Sequence, residues 1–152
     1  MSIRIVPMEV RHLDEVEELE RLCFSRPWTR AMLMEEMQND DVAFLVAEQD
    51  EGIVCGYAGL QVVLDEGYIL NVAVYPALRR RGIGTALMNV FLNFARERGL
   101  RFLTLEVRAS NTEAILLYGR MGFRAVGTRP GYYEQPREDA RIMTLTFGED
   151  AE

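Results

Sequence analysis

The sequence predicts an α/β protein: one mixed β-sheet with helices on both faces, in the order β-α-α-β-β-β-α-β-α-β-β. Three observations predict it. Apolar residues recur with a period of two in some stretches and of 3.6 in others. The joints between those stretches fall on Gly, Pro, Asn and Asp. Third, Asn71–Thr85 begins as a strand, breaks at Pro76, passes through Arg79, Arg80 and Arg81, and turns at Gly82-Ile83-Gly84 into a helix. A chain of 152 residues, 49% hydrophobic and 27% charged, suits a single globular core. One domain over 1–148 is expected, followed by a short charged tail, 149–152.

The elements follow in order. Ile3–Met8 reads as a strand. Val10–Cys23 reads as a helix, with Leu13, Val16, Leu19 and Cys23 on one face and Asp14, Glu15, Glu17, Glu18 and Glu20 on a solvated one. Pro27 ends that region, and Thr29 is placed to cap a short helix over Arg30–Gln38. Phe24 and Trp28 lie in the loop between the two helices, either plugging the core or lining the mouth of a site. Val42–Glu48 and Ile53–Leu64 read as an antiparallel pair around Asp50-Glu51-Gly52. Gly56 and Gly59 mark a twist or bulge in the second strand. Asp65-Glu66-Gly67 reads as a turn into a strand over Tyr68–Tyr75. The helix after Gly84 presents Leu87, Val90, Phe91 and Phe94 on one face and stops at Gly99. Arg101–Val107 is then reached by a right-handed crossover and runs parallel to Tyr68–Tyr75. Asn111 caps a helix through Met121, with Ala114, Leu117, Tyr118 and Met121 as its apolar stripe. Phe123–Thr128 reads as a strand, Arg129–Ala140 as a loop, and Arg141–Phe147 as the last strand.

The turn into the long helix is an anion site. Glycines let a ligand approach the backbone, and a helix start offers open N–H groups at the positive end of its dipole. Arg79, Arg80 and Arg81 add charge to a chain whose formal net charge is −7. That acidity argues against a nucleic-acid binder and against an anionic membrane partner. Cys23 and Cys55 are expected as reduced thiols. With one His and no cysteine pair, no metal site is expected. No apolar run has signal-peptide or membrane-span length, so a cytoplasmic protein is expected.

Three motifs carry a resemblance. They are Arg79-x-x-Gly82-x-Gly84, then Leu105-Glu106-Val107-Arg108-Ala109-Ser110-Asn111, then Leu117-Tyr118-Gly119-Arg120-Met121-Gly122-Phe123. Together they make the chain similar to the GNAT superfamily of acetyl-CoA-dependent N-acetyltransferases. Gln61–Glu66, Tyr132-Tyr133, Arg137–Ala140 and Phe24 with Pro27-Trp28 resemble, within it, the bacterial ribosomal-protein-alanine N-acetyltransferases. Between Tyr133 and Glu138 this chain departs from the pattern, reading Glu-Gln-Pro-Arg.

The resemblance implies the GNAT fold and acetyl-CoA as the acetyl donor. Its pyrophosphate would lie on Arg79, Arg80, Arg81, Gly82, Ile83, Gly84 and Thr85, its pantetheine along Val72, Ala73 and Val74, and Asn111 nearby. A bulge at Asn71 would splay the strand and open the slot. Glu106 would be the general base and Tyr118 the acid, with direct attack in a ternary complex. Phe24, Trp28, Tyr132, Tyr133, Glu138 and Asp139 would receive the acceptor, a protein N-terminus, in the first instance that of a ribosomal protein. A monomer or weak homodimer is expected. Chemistry favours an α-amine: at pKa near 7.7–8.0 roughly 10–15% is neutral at pH 7, against roughly 0.04% of a lysine. A lysine or small-amine acetyltransferase, and a non-catalytic acetyl-CoA-binding module, are the alternatives.

Overall fold

A computed structural model describes residues 2–148. The expected tail, 149–152, lies outside the described residues. Four antiparallel strands make up one side of the sheet. β1 (Ile3–Pro7) pairs with β2 (Val42–Gln49), β2 with β3 (Ile53–Val63), and β3 with β4 (Glu66–Val74), all antiparallel. β5 (Phe102–Arg108) joins β4 in parallel, and β7 (Glu138–Thr146) lies between β5 and the edge strand β6 (Arg124–Tyr133). The sheet order is β1-β2-β3-β4-β5-β7-β6. The expected mixed sheet and element order are thus borne out.

The helices divide between the two faces. α1 (Leu13–Cys23) and α2 (Arg30–Glu36) cover one, where Leu13, Val16, Leu19, Leu33, Val46 and Tyr57 form a core. α3 (Ile83–Arg98) and α4 (Thr112–Arg120) cover the other, where Leu87, Met88, Phe91, Leu103 and Leu105 pack together. No helix among the described residues is long and apolar enough to cross a membrane.

Several boundaries differ from the sequence expectation, each for a physical reason. The segment before α1 is a separate 3-10 turn, Val10–His12, closed by the Glu9 N–H donating to His12 Nδ1 at 2.9 Å. Thr29 caps α2, accepting from the Met32 N–H at 3.2 Å, but the helix ends at Glu36. The turn between β3 and β4 is only Leu64-Asp65, since Val63 pairs with Glu66. Glu66 and Gly67 therefore belong to the strand. The buried stripe of α3 is Ile83, Leu87, Met88, Phe91, Leu92 and Ala95. Val90 is exposed and Phe94 half-buried, because the core lies about one residue round the helix from the expected stripe.

The largest correction concerns Arg129–Ala140. β6 runs on to Tyr133 and β7 begins at Glu138, leaving a loop of 134–137. Pro130 lies within β6, and β6 is the sheet's edge. A residue without an N–H is tolerated there because no strand lies outside it.

Candidate active site

The site begins where the sheet comes apart. Between β3 and β4, Ala58 pairs with Val72 and Leu60 with Ile69. Gly59 alone therefore faces two residues, Leu70 and Asn71, which form a β-bulge on β4. A Cβ on Gly59 would come within 2.8 Å of the Phe44 ring, so the residue opposite the bulge has no room for a side chain. β4 and β5 pair only from Glu66 to Tyr68 against Phe102 to Thr104. They part after Tyr68, just before the bulge, and the edge of β4 at Val72–Val74 has no strand beside it on that side. The bulge lies at Leu70–Asn71, where it was expected, and the last parallel pair, Tyr68 with Thr104, comes just before it.

The gap opens into a cavity of about 580 Å³ beside α3. Val72, Ala73 and Val74 wall it on one side; Gly82, Ile83, Gly84 and Thr85 form its end. Gly82 has φ +81°, a left-handed conformation that L side chains adopt only with strain. The first helical bond here is from the Ala86 N–H to the Gly82 carbonyl. The N–H groups of Ile83, Gly84 and Thr85 are consequently the open amides of the α3 start. Arg79 and Arg80 line the cavity and Arg81 does not. The Arg79 guanidinium turns back on the protein, donating to the Val74 carbonyl at 3.2 Å and to Cys23 Sγ at 3.4 Å. Arg80 pairs with Glu113. Every cation here is a guanidinium, and so it is throughout: all seventeen basic residues are Arg, and the chain has no Lys.

A second cavity, about 620 Å³, lies across the gap. The two share Cys23, Phe24, Val72, Asn111, Ala114 and Tyr118 in their walls. Alternation on β5 puts Leu103, Leu105 and Val107 into the core under α3 and turns Glu106 to the opposite face. Tyr118 comes from α4, on the first face. The parting of β4 from β5 brings both to one opening. Glu106 Oε1 accepts from Arg129 Nε at 3.2 Å. Tyr118 is 8% exposed, and burial pushes its phenol up to about 12. Its ring packs on Phe123 and its hydroxyl has no protein hydrogen bond among the described residues. Asn111 is the expected cap of α4, accepting from the Ala114 N–H at 3.2 Å, and it also faces both cavities.

Phe24, Trp28, Tyr132 and Tyr133 all line the second cavity. Trp28 meets Phe44 edge-on, so it anchors its loop on the core as well. Tyr133 is pushed up to about 12 by burial and lies under the Arg108 guanidinium at 4.5 Å. Glu138 and Asp139 line neither cavity. Glu138 accepts from the Ser110 N–H at 2.6 Å and pairs with Arg108 at 3.2 Å; these bonds hold its carboxyl below the usual range. Asp139 accepts from the Gly131 N–H at 2.8 Å. Glu138 thus ties β7 to the end of β5 and the turn after it, and Asp139 braces the β6–β7 hairpin.

Three residues of the site escaped the sequence reading. Arg108 reaches Ser25 Oγ at 3.2 Å and the carbonyls of Glu134 and Pro136 at 3.0 Å each, tying the α1–α2 loop to the β6–β7 loop. Ser25 Oγ to the Glu134 carbonyl and an Arg26–Glu134 ion pair complete that bridge. Cys23 stands at the meeting of the cavities, its thiol pushed up by burial. Glu20, placed by sequence on the solvated face of α1, is fully buried. Its spacing held the signal: Leu13, Val16, Glu20 and Cys23 follow the helical period of the buried stripe.

The family model described as the acetyltransferase (GNAT) family matches residues 13–123. The [ribosomal protein bS18]-alanine N-acetyltransferase of Escherichia coli K12 is 35% identical over 143 residues, 93% of this chain and 95% of the relative. The crystal structure of the E. coli ribosomal-protein-S18-alanine N-acetyltransferase superposes with a TM-score of 0.86 at 33% identity, covering 99% of each chain. Arabidopsis thaliana NAA60, crystallised in complex with acetyl-CoA, has the same fold, with a TM-score of 0.87 at 23% identity over 96% of this chain and 99% of that one.

Proposed function

The chain belongs to the acetyltransferase (GNAT) family, and from that premise we propose that it moves an acetyl group from acetyl-CoA to the α-amine of a protein N-terminus. The acceptor proposed is the N-terminal alanine of a ribosomal protein, the substrate that its E. coli relative's name carries, and the setting is the cytoplasm. The observation that carries the chemistry is the meeting of two cavities at Tyr118, with Glu106 facing the same opening.

The residues present fit coenzyme A. The open amides of Ile83, Gly84 and Thr85 end the first cavity, where a pyrophosphate can be held at a helix start. The free edge of Val72–Val74 suits the amides of a pantetheine chain. The bound donor would supply the activated thioester.

The chain's own groups do the rest. Tyr132, Tyr133, Phe24 and Trp28 wall the acceptor end, and the Arg108 bridge spans its two loops. Such walls exclude water and orient the incoming amine. Glu106 takes the amine proton, directly or through water, while Arg129 holds one of its oxygens. Tyr118, in the wall common to both cavities, keeps its proton at neutral pH and would give it to the departing thiolate. The thiol common to both walls, Cys23, is pushed up by burial and stays protonated at neutral pH; an amine needs no covalent acetyl-enzyme, and attack is direct.

The test is turnover of acetyl-CoA against N-terminal hexapeptides starting with Ala, Ser, Met and Gly, each free and N-blocked. Turnover of the free Ala peptide, lost on blocking, is expected. Activity that survives blocking would assign the enzyme to side-chain or small amines instead.

A further inference from the structure

We infer that Glu20 is a positioning residue that holds the Leu70–Asn71 bulge open and ties it to the acceptor-side loop. The inference rests on the reading of the two cavities just given. Glu20 is fully buried on α1, and among the described residues no cation lies within ion-pair distance of it. Its Oε1 accepts from the Trp28 backbone N–H at 2.8 Å. Its Oε2 accepts from the Tyr57 hydroxyl at 2.6 Å and from Asn71 Nδ2 at 3.0 Å. Asn71 Nδ2 also reaches the Tyr57 oxygen at 3.3 Å.

Three donors converge, and nothing accepts from Glu20. That is the surrounding of a carboxylate, and it opposes the burial that pushes this carboxyl up. For packing alone an apolar side chain would serve, as Val16 and Leu19 do on the same helix. What a carboxylate adds is direction. Each donor comes from a different part of the site. Trp28 belongs to the loop that walls the acceptor cavity; Asn71 is the bulge residue of β4 just beyond its last pair with β5; Tyr57 on β3 lines neither cavity and steadies the pair. With Asn71 drawn toward α1, the bulge is fixed and Val72–Val74 stay free of β5. Without that pull the bulge can relax and the slot narrows. The acceptor loop and the thioester slot therefore share one anchor.

Neither Glu20 nor Asn71 lines the cavity beside α3. Their variants are therefore expected to change coenzyme A binding only through the bulge. Calorimetric titration of coenzyme A, well below each variant's melting temperature, reads this directly. Glu20→Gln and Asn71→Leu are each expected to weaken binding by about fivefold or more, with the double variant no weaker than the worse single one. Unchanged binding in the single variants, or multiplied losses in the double, would overturn the inference. Thermal melts accompany each titration, since a packing role alone lowers the melting temperature and leaves affinity intact. If Glu20→Gln does not fold, Asn71→Leu decides alone. A wild type that binds coenzyme A yet acetylates no N-terminal peptide would remove the proposed acceptor and leave this test standing.

Discussion

Tyr118 and Glu106 set the pH behaviour to expect at the scale of single residues. A phenol raised to about 12 stays protonated below that pH and is lost as an acid only above it. The α-amine of a peptide becomes neutral through about pH 8. The rate constant kcat/KM for an Ala-starting peptide is therefore expected to rise through about pH 8 and stay level to about pH 10. A fall near pH 9 in a stopped-time assay would show that Tyr118 is not the acid. Tyr118→Phe is expected to lower kcat by about 100-fold or more, with coenzyme A affinity nearly unchanged. Glu106→Gln is expected to do the same and to keep the fold, since it leaves the Arg129 contact an oxygen. The sequence singles out both side chains through the motifs that carry the resemblance, and the fold brings both to one opening. Glu138 and Asp139 were legible as charges but not as braces. Their backbone partners, the N–H groups of Ser110 and Gly131, are brought near only by the pairing of β7 with β5 on one side and β6 on the other.

Elements carry the geometry that those residues use, and the start of α3 is the most exacting. A methyl on Gly82 would meet nothing within 4 Å, so the cost of Gly82→Ala is the backbone conformation alone. That cost is about 1–2 kcal/mol, expected as a fall of a few degrees in melting temperature and as weaker coenzyme A binding through a displaced turn. Loss of stability without loss of affinity, measured by melts and calorimetry together, would separate the turn from the ligand. Sequence periodicity located α3 correctly but rotated its buried face, because Val90 and Phe94 are as apolar as the residues that face the core. It also closed β6 too early. Pro130 and Gly131 look like breakers, and only the strand order reveals that β6 has an open side.

At the scale of the whole molecule, ion pairs join the first strand to its neighbours. Glu48 on β2 is fully buried, bonded to His12 at 2.9 Å, Arg11 at 3.0 Å and Arg4 at 2.6 Å. His12 and then Arg11 hold its carboxyl down to about 2, against the usual 4.5. The stabilisation is fully present above about 4.5 and is lost as the pH falls toward about 2. Melting temperature is expected to decline across that window, and less steeply in Glu48→Gln, as followed by circular dichroism. Like Glu20, Glu48 reads in the sequence as one more acid among 24 Asp and Glu residues. Nothing local distinguishes a buried carboxylate until the strands that bury it are paired. The reliance on guanidinium has a consequence for the protein as a chemical reagent. A thioester forms stable amides only with amines, and no side chain here is one. The protein can sit in concentrated acetyl donor without acylating an ε-amine of its own, because it has none. Any stable acetyl amide that accumulates on an internal residue in a reaction mixture must therefore belong to another molecule.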